Sequence, residues 1–208
     1  MTRPRTRTAR PAPFYVLPDD PPAKREILIA ALALFARDGL CETSIRDIAR
    51  ESGFTNPALF KHFRSKDDLA RFLFERCYLE LARLVTRAAA SGATFPKQQR
   101  AVIEAYLDAL DRDANSVLYV YDGLQHFWPL MPAAVKRQSI FAKVRQMLAD
   151  GRAHGTVTTA IDIELLTAAW IGTLQQFARA RYFGQIKIQS LDALADALDA
   201  LLTKMVRP

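Results

Sequence analysis

Residues 44–66, SIRDIARESGFTNPALFKHFRSK, constrain the fold more than any other stretch of the chain. Ser44 and Asp47 have the S-x-x-D spacing of a capping box, which opens a helix by satisfying two of its orphan amides. Ile45, Ile48 and Ala49 follow at helical spacing, and Gly53 stops that helix, because glycine enters the left-handed backbone region at little cost. Thr55 is placed to cap a second helix, with Pro57 in its first turn, where a missing N–H is not needed. Leu59 and Phe63, four apart, turn that helix inward. Asn56, Ala58, Phe60, Lys61 and His62 are left outward. Ser65 and Asp68 repeat the S-x-x-D spacing and start a further helix at Lys66. The charges from Thr55 to Lys66 (Lys61, Arg64 and Lys66) are all positive. A short helix with a polar, basic outer face fits a DNA major groove, about 12 Å wide. Two helices joined by a tight turn read as a helix-turn-helix.

With those residues in view, the stretch resembles the DNA-binding domain of the TetR-type (tetracycline-repressor-like) bacterial transcriptional regulators. Phe35, Gly39, Ser44, Ile48-Ala49, Gly53, Leu59 to Phe63 and Ser65 to Leu69 carry the resemblance, which covers roughly residues 24–72. It implies DNA contacts from Ser44 and Arg46 on the second helix, and from Thr55, Asn56, Pro57 and Ala58 at the groove end of the third. It further implies flanking contacts from Phe60, Lys61 and His62, and a phosphate contact from Lys66. One position departs from the family pattern. Phe60 stands where a tyrosine hydroxyl usually donates to a phosphate, so only ring contact remains.

The rest of the chain predicts an all-α protein, with an N-terminal three-helix DNA-binding domain (19–69) joined to a C-terminal helical effector-binding and dimerisation domain (70–208). Residues 1–18 are Arg- and Pro-rich and predict a disordered basic arm. Its Arg3, Arg5, Arg7 and Arg10 have the chemistry to enter a minor groove, or to add only salt-dependent attraction. Phe14 to Leu17 are apolar enough to tack it to the domain. Asp20-Pro21 reads as the start of a first helix ending at Gly39. A fourth helix of ~25 residues from Lys66 would span ~37 Å and link the two halves. Further helices are expected near 96–112, 115–128, 132–153, 160–183 and 190–205, with no strand.

A net charge of +7 favours an anionic partner. No stretch reaches the roughly 18 apolar residues of a membrane helix, and the basic N-terminus lacks the apolar core of a secretory signal. Two cysteines, Cys41 and Cys77, make no disulfide framework and fit a reducing cytoplasm. No nucleophile motif, phosphate loop or metal-ligand spacing occurs, so neither catalysis, cofactor nor metal is expected.

Leu191, Leu194, Leu198, Leu201 and Leu202 recur at helical spacing in the last helix, and Ala168 and Gly172 in the preceding one permit close helix approach. The bland reading is intramolecular core. The resemblance implies a homodimer built from these helices. Two recognition helices about 34–36 Å apart would then match successive major grooves of a pseudo-palindromic operator. Tyr106, Tyr119, Tyr121, His126, Phe127, Trp128, Phe141, Trp170 and Phe177 are candidates either for core or for the pocket of a hydrophobic or aromatic effector. The resemblance implies a repressor released from DNA by that effector. An activator, or a ligand-insensitive DNA-binding or adaptor protein of the same fold, would share these features.

Overall fold

The computed structural model describes residues 13–187 and 190–208. Ten α-helices follow one another, with no strand among the described residues. They are α1 (Pro22–Asp38), α2 (Ile45–Ser52), α3 (Asn56–Phe60), α4 (Lys66–Ser91), α5 (Phe95–Arg112), α6 (Ala114–Phe127), α7 (Ala133–Arg137), α8 (Ile140–Ala153), α9 (Ile163–Tyr182) and α10 (Leu191–Val206).

Local chemistry sets the first boundaries. At α2 the capping box forms in full: Ser44 Oγ accepts from the Asp47 amide (3.2 Å), and the Asp47 carboxylate accepts from the Ser44 amide (3.0 Å). Gly53 ends the helix at φ 73°, in the left-handed region. At α4 the box is offset. Ser65 caps Asp68, but the Asp68 carboxylate accepts from the Arg64 amide instead (3.1 Å). Thr55 precedes α3 without a side-chain cap. Ile27, Leu28, Ala31, Phe35, Ile48, Leu59, Phe63 and Leu69 close a core around α1–α3 and the start of α4.

That core runs without a break into the C-terminal half. Phe35 on α1 stacks on Tyr119 of α6 (ring centroids 5.9 Å apart), and the Tyr119 hydroxyl donates to the Ala70 carbonyl on α4 (2.9 Å). Gly123 on α6 permits this approach, since a Cβ there would lie 2.8 Å from the Phe74 ring. Helix α4, 26 residues long, therefore packs in both halves. Cys77 is fully buried on it, where desolvation pushes its thiol pKa up, while Cys41 lies exposed after α1.

Three expectations are corrected here. Residues 13–18, assigned to the disordered arm, fold back on the domain. Tyr15 and Val16 are buried and the Tyr15 carbonyl accepts from Arg76 (3.3 Å). Arg3, Arg5, Arg7 and Arg10 lie outside the described residues. Asp20 does not cap α1. Its buried carboxylate instead receives the Leu17 amide (3.0 Å), Lys24 (3.0 Å) and Arg76. The helix expected over 132–153 breaks in two, because Ser139 caps a new helix through the Ala142 amide (3.1 Å) and the Ile140 amide turns to the Tyr78 hydroxyl (3.0 Å).

Helix α10 also differs from the dimer expectation. Leu194, Leu198 and Leu202 are buried within the chain and belong to its own core, and Leu191 is half-buried there. A buried polar network supports this packing: Gln99 on α5 donates to Asp199 (2.9 Å) and Thr203 (2.9 Å) and accepts from the Trp170 indole (3.2 Å). Of the leucines, Leu201 faces out, 54% exposed.

Candidate nucleic-acid interface

The helix-turn-helix presents one outward surface. Arg46, Thr55, Pro57, Phe60 and Lys61 are exposed, with Asn56, Ala58 and His62 half-buried among them. Leu59 and Phe63 anchor the unit from behind. Among the described residues the side chains of Arg46, Lys61 and Arg64 form no ion pair, whereas Arg50 and Arg71 are neutralised by Asp47 (2.7 Å) and Asp68 (3.1 Å). The surface thus keeps uncompensated positive charge, the electrostatic requirement for a phosphate backbone. Thr55 makes no cap, so its hydroxyl is free for an external acceptor. Phe60 is 52% exposed, a large apolar group open to solvent.

Two residues expected to touch DNA hold the domain together instead. The Ser44 hydroxyl donates to Asp47 (2.5 Å) while accepting from its amide, so it has no proton left for a phosphate. The Lys66 ammonium has three N–H groups, and they meet three carbonyls: Leu40 (2.7 Å), Thr43 (2.9 Å) and Cys41 (3.4 Å). It ties the first turn of α4 to the loop between α1 and α2. The expected phosphate contact is thereby corrected to an internal clamp.

The C-terminal half holds a second candidate site. A cleft of about 450 Å³ opens between α4, α6, the start of α8 and α9. Tyr78, Val120, Tyr121, Leu124, Gln125, Trp128, Ser139, Ile140, Phe141, Ile171 and Gln175 line it. A void of about 20 Å³ lies beneath, sharing Tyr121, Ile140 and Ile171 with the cleft. The expected pocket residues divide. Trp128, Tyr121 and Phe141 line the cleft, and Tyr106 and Trp170 line the void. Tyr119, His126 and Phe127 line a different cavity of about 410 Å³, where the end of α1 meets α6 and α9. Phe177 is buried in the core. Tyr78, Gln125 and Gln175 carry no sequence signal separating them from ordinary helix-face residues.

A third surface lies along α9 and α10. Leu165, Ala168 and Ala169 are exposed and Gly172 half-buried, at helical spacing on α9; Ala193, Ala197, Ala200 and Leu201 form an exposed stripe on α10. Of the residues expected at a dimer interface, Ala168 and Leu201 are exposed and Gly172 is half-buried on this outer face, which the buried leucines do not share. No helix among the described residues is long and apolar enough to cross a membrane.

Comparison with known proteins agrees with this geometry. Residues 27–72 match the family described as bacterial regulatory proteins, tetR family. The transcriptional activator FasR of Mycolicibacterium smegmatis is 28% identical over 111 residues, 53% of this chain and 51% of that protein. The transcriptional repressor SCO4008 of Streptomyces coelicolor is 27% identical over 197 residues, covering 90% of this chain and 95% of that one. The chain spans about half the length of FasR and of the KstR2 repressor of Rhodococcus jostii. Among solved structures, the ketosteroid transcriptional regulator KstR2 of Mycobacterium tuberculosis superposes with a TM-score of 0.71 at 20% identity, covering 88% of this chain and 94% of that one, a likeness of fold.

Proposed function

The chain belongs to the TetR family of bacterial regulatory proteins, and on that premise we propose that it is a cytoplasmic, homodimeric repressor that leaves its operator when a small molecule enters the cleft beside α4. One observation carries the reading. Helix α4 is clamped at Lys66 to the loop that leads into α2, and twelve residues later its Tyr78 lines the cleft. A ligand that moves Tyr78 therefore acts on the helix that positions the DNA-reading unit.

In this account residues 19–69 read DNA. Arg46 and Thr55 hold phosphates, Asn56 and Ala58 meet base edges at the groove end of α3, Lys61 reaches a base edge from beyond its other end, and Pro57, Phe60 and His62 pack against the backbone. Residues 70–208 bind the effector and dimerise through the outer stripes of α9 and α10. A dimer sets two recognition helices on one face of the duplex. Ligand and DNA then compete through one equilibrium, and linkage makes the effect reciprocal. The relatives support repression through SCO4008 and KstR2, while FasR, named an activator, marks the other sign among similar proteins.

The test is binding of the purified protein to the duplex upstream of its own gene against a scrambled duplex, at two salt concentrations. Preference for the first by orders of magnitude at physiological salt supports sequence-specific regulation; equal, steeply salt-dependent binding to both refutes it at this site. The same complex then serves to screen small molecules. Equal ligand affinity for free and DNA-bound dimer would exclude effector-driven release.

A further inference from the structure

The cleft beside α4 has one-sided chemistry. Its lining contains no Lys, Arg, His, Asp or Glu. Its polar groups are the phenols of Tyr78 and Tyr121, the carboxamides of Gln125 and Gln175, and the Ser139 hydroxyl, which caps α8. Tyr78 accepts the Ile140 amide. Tyr121 sits at the floor, where cleft and void meet, against Tyr106 (ring centroids 6.4 Å apart). Burial pushes the Tyr121 phenol pKa up, and the Tyr106 hydroxyl beside it donates to the Leu174 carbonyl (3.2 Å). Tyr121 is therefore neutral, and among the described residues its hydroxyl donates no hydrogen bond of ordinary geometry, so its proton can turn to an acceptor in the cleft.

We propose that this cleft selects an uncharged, largely apolar molecule bearing one hydrogen-bond-accepting oxygen. Tyr121 donates to that oxygen from the floor, and the Gln175 carboxamide on the α9 wall supplies a second polar contact. Ile140, Ile171 and Trp128 cover the apolar body. An anion entering here loses its hydration with no opposite charge to replace it. A cation likewise finds no carboxylate in the lining, and the Tyr78 ring is already packed against Phe74 (5.9 Å) and Trp128 (5.1 Å). The inference rests on the reading of this cleft as the effector site.

The test uses the full-length protein and three probes that share an alkyl chain: decan-2-one, decanoate and decyltrimethylammonium, at about pH 8, where the carboxylate is ionised. Trp128 lines the cleft and Trp170 the void beneath it, so occupancy is read as the fluorescence change that is lost in Trp128→Phe. The ketone is expected to bind at least about tenfold more tightly than either ion, as one decade of affinity is a small part of the cost of burying a charge. Tyr121→Phe keeps the ring and is expected to weaken the ketone roughly three- to tenfold, a neutral hydrogen bond's worth, while leaving the ions unchanged. Gln175→Leu checks the same selectivity from the α9 wall. Decanoate or the ammonium binding as tightly as the ketone overturns the inference, as does a Tyr121→Phe variant that binds the ketone like wild type. Failure of all three probes to alter Trp128 fluorescence also overturns it. Release of DNA by an ion that quenches Trp128 would sink the neutral-ligand inference alone. Ketone binding without release would sink the effector reading instead.

Discussion

Lys66→Met separates an internal clamp from a DNA contact. Methionine keeps the aliphatic stem and removes three N–H groups that now reach the Leu40, Thr43 and Cys41 carbonyls. A hydrogen bond from a charged donor contributes about 1.5–3 kcal/mol when buried. Here the ammonium is half-buried and Cys41 is exposed, so water can replace part of it. Lys66 also places a positive charge in the first turn of α4, which costs about 0.3–1 kcal/mol against the helix dipole and is relieved by methionine. The net loss should be about 1–2 kcal/mol. For a chain of 150–250 residues, about 2–4 °C of Tm corresponds to each kcal/mol, so thermal denaturation should show a fall of roughly 2–8 °C. The freed loop leads into α2, so affinity should fall alike for all operator variants. The slope of log affinity against log salt should stay within a few tenths of wild type, whereas losing a phosphate contact would lower it by about 0.9. An unchanged Tm with a slope lower by about one unit would refute the clamp and return Lys66 to the DNA.

On α10, Leu201→Arg should dissociate the dimer while leaving each subunit folded, read by sedimentation and circular dichroism; Leu198→Arg should instead unfold the chain, with a loss of several kcal/mol, because Leu198 is core. Asn56→Ala and Lys61→Ala should change preference among operator variants by roughly 1–3 kcal/mol, and a uniform loss across variants would show backbone contacts instead. Burial alone would raise the Asp20 pKa, but hydrogen bonds from Arg76, the Leu17 amide and Lys24 override it and lower the value from 3.8 to about 2. A carboxylate depressed on folding stabilises above its unfolded pKa, and that contribution is lost as pH falls from about 5 through the folded value to about 1. Asp20→Asn should therefore cost about 1 kcal/mol at neutral pH, after allowance for screening, and nothing near about pH 1; a constant cost across that range would contradict the assignment.

The DNA-reading half was legible because its boundaries are written in local chemistry. A capping serine with an acid three residues on, a left-handed Gly53 and a proline in the first turn of α3 act within a few residues of themselves. Phe54, Leu59 and Phe63 then leave few ways to close three short helices. The rest depends on partners distant in sequence. Apolar spacing on α10 shows that a face is buried, but not that α5 covers Leu194, Leu198 and Leu202 while Leu201 points away. Tyr78 looks like one more inward position on α4 until the Ile140 amide turns toward it. Lys66 reads as a free cation because the carbonyls it meets belong to residues 23 to 26 positions earlier. Tyr106, Tyr119, Phe127, Trp170 and Phe177 do mark the C-terminal core, but Phe141, Tyr182 and Phe183 are exposed, and which aromatic residues border open space is set by helix packing.

Helix α3 has five residues, well below the roughly 12–15 at which an isolated helix becomes even marginal in water. Its shape is borrowed from its neighbours through Leu59 and Phe63. A synthetic peptide of residues 55–64 would be a coil with the right letters and no reading surface. Anyone transplanting this specificity to another scaffold must move α1, α2 and the opening turns of α4 along with it. Conversely, Asn56, Ala58 and Phe60 can be randomised in a selection library at little cost to folding, because Leu59 and Phe63, which hold the helix, face the core, and Pro57 is kept to start it.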